Sequence, residues 1–242
     1  MENNQVISKD ELYRKMLQNS EKEAGMPIGI CIDDSFSMWK YKKYIENEIE
    51  QLLKRIRGNT IYEESVYLSF RIVNQEVKSV PFKAAKYVNG CPELHPRGSS
   101  DVEVLLDNGI DMMDLFDPSK QRAEPILVLI TDGKDQDPDF EWLQELKERL
   151  DERDYRLILA VPDFQSVAGS VLFSELKLNE NDVAYYYGES KSGLAMTLFE
   201  CIKRNSESTE MGTDWEDEED DDNFGDYLNQ RNSGFTEEMV DD

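Results

Sequence analysis

Hydrophobic residues come in two patterns along this chain: short unbroken runs, and longer stretches in which they recur every three or four positions. The runs "PIGICI" (27–32), "PILVLI" (125–130), "YRLILAV" (155–161) and "DVAYYY" (182–187) predict strands, the first two covered on both faces. Between them, Ile45, Ile49, Leu52, Leu53 and Ile56 repeat at helical spacing, with Gly58 as a stop. A second helix is expected over Asp101 to Phe116. A third starts at Asp137-Pro138 and carries Phe140, Leu143, Leu146 and Leu150 toward a core. A short helix near Val171 to Leu176 and a last one over Gly193 to Lys203 complete the series. "SVYLSFRIV" (65–73) alternates Val66, Leu68, Phe70 and Ile72 on one side, and "EVKSVPF" follows a turn at Asn74-Gln75. Lys78 and Pro81 suit an edge strand, so this pair reads as a hairpin at the sheet border. Strands alternating with helices specify an α/β fold: an open, mostly parallel sheet with helices on both faces and one antiparallel edge strand.

Two segments flank this domain. A capping-box pattern from Ser8 to Glu11, followed by Leu12, Met16 and Leu17, predicts a leading helix through about Glu23. From Asn205 onward the chain holds 15 Asp and Glu against one basic residue, Arg231. "DWEDEEDDD" cannot bury enough apolar surface to offset chain entropy. The expected organisation is a leading extension over 1–25, the α/β domain over 26–204, and a disordered acidic tail over 205–242. The tail reads as a solvating segment or, through the aromatic residues around "NFGDYL", as a docking motif.

Charge and cysteine usage narrow the functional classes. A formal net charge of −25, without basic clusters that could track a phosphate backbone, argues against nucleic-acid binding. The longest apolar run, Ile126 to Ile130, is far too short to span a bilayer, and no signal-peptide pattern is present, so a cytoplasmic protein is expected. Cys31, Cys91 and Cys201 lack CxxC spacing and are expected to be reduced thiols, Cys31 and Cys201 in the core. His95, the single histidine, reads as a loop residue.

The chemistry lies at two strand ends. "IDDSFS" and "ITDGK" close the first and fourth strands, where ligands gather in open α/β sheets. If the strands carrying Cys31 and Leu129 are neighbours, Asp33, Ser35, Ser37 and Asp132 converge, with Ser99-Ser100 at the start of the intervening helix as a third oxygen source. Carboxylates and hydroxyls without soft ligands suit a hard cation, Mg²⁺ or Mn²⁺. Each residue also has a plainer role. Ser35 and Ser37 could cap the next helix, Ser100 with Glu103 forms an S-x-x-E capping pattern, and Asp132-Gly133 suits an ordinary turn.

Three segments, "MPIGICIDDSFSMW", "GSSDVEVLLDNGIDMM" and "PILVLITDGKDQD", resemble the signatures of the von Willebrand factor A (VWA) domain, a Rossmann-like fold, over about residues 26 to 204. The likeness is greatest to the bacterial TerY-like branch associated with tellurium resistance and stress. It implies a metal-ion-dependent adhesion site (MIDAS) in which Asp33, Ser35, Ser37, Ser100 and Asp132 hold Mg²⁺. Ser100 falls where the family usually has Thr, and Ser99 is the neighbouring alternative. Asp34 and Phe36 replace the usual small residues inside the loop. The implied function is non-enzymatic: a protein-protein interaction module that takes an Asp or Glu from a partner, such as a kinase, phosphatase or ATPase of the same assembly.

A different class shares the magnesium. Asp33-Asp34 after a strand also fits a phosphoryl-accepting receiver domain, but "LILAVPD" offers no lysine and Lys134 follows the wrong strand. A phosphatase of the haloacid-dehalogenase type would need an acid where Ser35 stands. Neither G-x-S-x-G nor G-x-x-x-x-G-K-[ST] occurs, so no enzyme is expected.

Overall fold

The apolar run at Met26 becomes β1 (Met26–Asp33), and every one of its residues is buried, as a strand enclosed between two helix layers requires. The computed structural model describes residues 25–133, 138–168, 170–187 and 193–208. Beside β1 lie β2 (Val66–Val73), β3 (Val77–Ala84), β4 (Ile126–Ile130), β5 (Arg156–Val161) and β6 (Val183–Tyr185), in the order β3-β2-β1-β4-β5-β6. All neighbours run parallel except β2 and β3. The fold is therefore the expected open, mostly parallel α/β sheet. β3 is its antiparallel edge, with a register irregularity opposite Leu68 and Phe70.

Alternation along β1 assigns the two faces. Met26, Ile28, Ile30 and Ile32 pack with Ile45, Ile49, Leu52, Leu53 and Ile56 of α1 (Lys42–Arg57). Cys31 faces the other way, into a cluster with Leu105, Leu106 and Ile110 of α3 (Val102–Met113) and Leu143, Leu146 and Leu150 of α4 (Phe140–Arg153). Gly29 permits the close approach of α3, because a Cβ there would come within 2.5 Å of the Met113 sulfur. Between α1 and β2, Asn59 accepts from the N–H groups of Ile61 and Tyr62 and starts a short α2 (Thr60–Ser65) that the apolar pattern does not announce. α5 (Phe164–Ala168) and α6 (Val171–Glu175) follow β5, and α7 (Leu194–Ser208) follows β6.

Three expectations are corrected at element ends. Asp139, rather than Asp137-Pro138, caps α4 by accepting from Trp142 N–H at 3.0 Å, and Phe140 turns outward at 56% exposure instead of entering the core. α7 runs past Lys203 to Ser208, with Asn205 and Ser206 buried, so residues assigned to the tail belong to the domain. The Asn205 amide donates to the Glu124 carbonyl ahead of β4, which ties that helix end to the sheet. The expected leading helix and the tail beyond residue 208 lie outside the described residues. Among the described residues no helix is long and apolar enough to cross a membrane. Cys31 and Cys201 are buried free thiols, and Cys91 is half-buried.

α3 and α4 are joined by an ionic ladder. Arg149 bridges Asp107 and Asp111, Arg153 pairs with Asp114 at 2.6 Å, and the Tyr155 hydroxyl donates to the same Asp114. These pairs are partly solvated, so Arg149→Ala is expected to lower unfolding free energy by about 1 kcal/mol in low-salt urea titrations, with the difference shrinking in high salt.

Candidate metal centre

β1 and β4 are direct neighbours with Cys31 opposite Leu129, so their carboxyl ends lie side by side where the strand order reverses. Asp33, two residues past Cys31, shares its α3-facing side. The carboxylate is buried and held from two directions: Oδ1 accepts from Ser35 N–H at 2.8 Å, and Oδ2 accepts from the Thr131 hydroxyl at 3.0 Å. Gly133 N–H in turn donates to Thr131 Oγ1. Gly133 has φ +73°, a left-handed turn that carries the chain past Asp132 and close to the Ser166 carbonyl of α5.

The serines are not spent on helix caps. Ser35 precedes a 3₁₀ turn, Phe36–Tyr41, yet makes no side-chain capping bond; its hydroxyl lies 3.1 Å from that of Ser37. Asp101, not Ser100, occupies the cap position of α3, and Glu103 accepts from the Asp139 N–H instead of reaching back. Ser100 Oγ is buried and has no hydrogen-bond partner among the described residues. A buried hydroxyl without a partner is costly, and it marks a position where an oxygen ligand is available.

Asp34, which the sequence presents as a departure from a small-residue pattern and as half of a possible receiver-type acidic pair, proves to be the anchor of the loop that leads to Ser100. It is almost fully buried. Its Oδ2 accepts from Asn74 Nδ2 at 3.0 Å and from His95 N–H at 3.1 Å, while its carbonyl accepts from Arg97 N–H at 2.9 Å. Two residues on, Phe36 N–H donates to the Gly98 carbonyl. The loop before α3 is thus stitched to the Asp33–Ser37 segment by main-chain and carboxylate bonds. His95 is the expected loop residue, and its imidazole lies beside Glu93 on the surface.

Tyr186 was also missed. Its buried hydroxyl donates to the Thr131 carbonyl at 2.9 Å and lies 3.7 Å from Met38 Sδ, joining the ends of β4 and β6 to the 3₁₀ turn. Burial, reinforced by the charge of Asp132, pushes its phenol well above the ordinary range, so it stays a donor. Thr131 had one signal in the sequence, its place beside Asp132. Tyr186 had none, because its partners lie 55 and 148 positions away.

Asp33 and Asp132 make an electrostatically uneasy pair. Burial pushes Asp33 up from 3.8 to about 6, against the Ser35 and Thr131 hydrogen bonds, and the neighbouring Asp132 adds to the rise. A hard divalent cation among these oxygens is the chemistry that relieves two buried carboxylates while using hydroxyls that no cap employs. Among the described residues no three His, Cys, Asp or Glu side chains form a metal-holding group, at this site or any other, so a cation here would depend on the hydroxyls as well as the two carboxylates. A set of two carboxylates and three hydroxyls fits Mg²⁺ or Mn²⁺ better than a softer ion.

No family model and no curated protein matches this sequence. Solved structures do match in fold. The pilus adhesin SpaC from Lactobacillus rhamnosus GG is 10% identical with a TM-score of 0.53, over 77% of this chain and 30% of that one. Proximal thread matrix protein 1 from the mussel byssus is 17% identical with a TM-score of 0.51, over 72% of this chain and 46% of that one. The SpRpn10 VWA domain is 11% identical with a TM-score of 0.48, over 73% of this chain and 95% of that one. This chain therefore spans less than half the length of the first two. Sheet order and the likenesses to the first two structures together identify the chain's fold as an open, mostly parallel, Rossmann-like α/β fold.

Proposed function

We propose that this protein is a non-enzymatic, Mg²⁺-dependent interaction module of the cytoplasm, in which Asp33, Ser35, Ser37, Ser100 and Asp132 hold the ion and a partner protein supplies an Asp or Glu. The observation that carries the reading is the set of hydroxyls left unused by helix caps: Ser35 and Ser37 in mutual contact and the Ser100 Oγ buried without a described partner. When bound, the cation supplies positive charge and a position that a partner's carboxylate can fill. The chain's own part is to pre-position the oxygens. Thr131 and Ser35 N–H fix the Asp33 carboxylate, Asp34 holds the Ser100 loop, and Tyr186 holds the Thr131 main chain. The TerY-like assignment, and with it a stress-response or tellurium-resistance setting, rests on the three signature segments alone.

The test compares wild type with Ser35→Ala/Ser37→Ala in calorimetric Mg²⁺ and Mn²⁺ titrations and in pull-downs with and without EDTA. Loss of both hydroxyls is expected to weaken cation binding at least about tenfold and to abolish metal-dependent capture. Capture that ignores EDTA and both serines, but disappears when residues 209–242 are removed, would instead assign recognition to the acidic tail. Acyl-phosphate labelling of Asp33 or Asp132 would assign the site to phosphoryl transfer.

A further inference from the structure

The large exposed aromatic side chains are distributed unevenly. Among the described residues they are Phe36, Trp39, Tyr44, Phe140, Phe164, Tyr187 and Tyr87. All but Tyr87 stand at the carboxyl end of the parallel strands: after β1, at the start of α1, at the first residues of α4 and α5, and after β6. Single exposed apolar residues are ordinary on a protein surface; a collection at one end is not.

Three of them border the candidate cation site from two sides. Phe36 and Trp39 are 70% and 65% exposed and sit three residues apart in the 3₁₀ turn, a spacing that places side chains on one side of such a turn. Phe36 directly follows Ser35 and precedes Ser37. Phe164, 73% exposed, opens α5, the helix whose Ser166 carbonyl lies against Gly133 beside Asp132. Tyr44 and Tyr187 extend the surface through an edge-to-face contact at 4.8 Å.

We infer that this end of the sheet docks a protein segment presenting one carboxylate flanked by large apolar side chains, with Phe36, Trp39 and Phe164 as apolar anchors around the ion. This inference rests on the cation-site reading above and adds to it the composition of the partner. Charge supports that composition. The chain has a net charge of −25, of which −11 belongs to residues 1–204, and repels an acidic partner at long range, so a strongly acidic surface is disfavoured and one coordinating acid within an apolar surround is the complementary chemistry. Exposed Trp and Phe beside a polar centre also match the composition of binding hot spots.

The experiment uses the full chain and a displayed library of twelve-residue peptides with a fixed central Glu and random flanks, selected in Mg²⁺ and eluted with EDTA. Recovered peptides are expected to carry Phe, Trp, Leu or Ile next to the Glu. Phe36→Ala, Trp39→Ala and Phe164→Ala should each weaken one such peptide at least about tenfold in fluorescence anisotropy, while calorimetric Mg²⁺ binding stays at the wild-type value. Peptides with polar or acidic flanks, or peptides insensitive to all three substitutions, overturn the docking face while leaving the cation site standing. A library that yields no EDTA-eluted peptide also overturns it. Absence of Mg²⁺ binding by the wild type overturns the cation site itself. Mg²⁺-dependent dimerisation in light scattering, abolished by the same substitutions, would replace the proposed partner by a second copy of this chain.

Discussion

Asp34→Ala is expected to lower the unfolding free energy by about 3 kcal/mol, because it leaves the buried Asn74 amide and the partly buried His95 N–H without their common acceptor. The same substitution frees the segment that runs from His95 through Gly98 to Ser100, so Mg²⁺ affinity should fall at least about tenfold although Asp34 is not in the proposed ligand set. Urea unfolding and calorimetry measure the two effects. Asp34→Asn separates geometry from charge. Its amide oxygen can accept both bonds, and burial already raises the Asp34 carboxyl, so the ionised form is not favoured by its surroundings. The Asn variant should therefore keep most of the stability and most of the cation affinity. Equal losses for Ala and Asn would mean that the negative charge, rather than the hydrogen-bonded loop, is what matters.

The second large effect is a stability that depends on pH in opposite ways with and without cation. Asp33 titrates at about 6 in the fold against an ordinary 3.8, so between those values the folded state binds more protons than the unfolded state. Stability from this group is full below about pH 3.8 and is lost as pH rises through 6. The loss amounts to about 3 kcal/mol over the whole window and close to half of that between pH 5 and pH 7. Asp132 stands beside Asp33, and Asp33→Asn should remove the decline attributable to this carboxylate. Saturating Mg²⁺ should reverse the trend, since the ion competes with the proton. At one hundred times the dissociation constant it would add about 2.7 kcal/mol at pH 7, and much less at pH 5. Melting curves at both pH values, in Mg²⁺ and in EDTA, read this directly. A Mg²⁺ increment that is the same at pH 5 and pH 7, or that survives in Ser35→Ala/Ser37→Ala, would place the ion elsewhere.

Much of the architecture was legible because it depends on local pattern. Buried parallel strands must be continuously apolar, so β1 and β4 appear as runs, and Lys78 with Pro81 marks β3 as an edge. The oxygen spacing at residues 33, 35 and 37 was equally plain. What escaped depends on partners far along the chain. Asp34 reaches His95 across 61 positions, and Thr131 reaches Asp33 across 98. No window on the sequence reveals such pairs before the strand order is known. Phe140 was misassigned for a related reason: helical spacing groups it with Leu143, but the first residue of a helix, set beside a surface cap at Asp139, can turn away from the core. The short α2 depends on one Asn side chain rather than on apolar periodicity.

The pairing of β1 with β4 also sets a timetable for synthesis. Asp33, Ser35 and Ser37 leave the ribosome with β1, but Thr131, whose hydroxyl holds the Asp33 carboxylate, lies 98 residues after Asp33. At about 5–20 residues per second, the gap lasts roughly 5 to 20 seconds. During that interval a strand destined for complete burial has its β4 edge unsatisfied, with the β1–β2–β3 side able to form first. A central strand with one open edge is where wrong pairing can start, so the chain is exposed to it until β4 has been made.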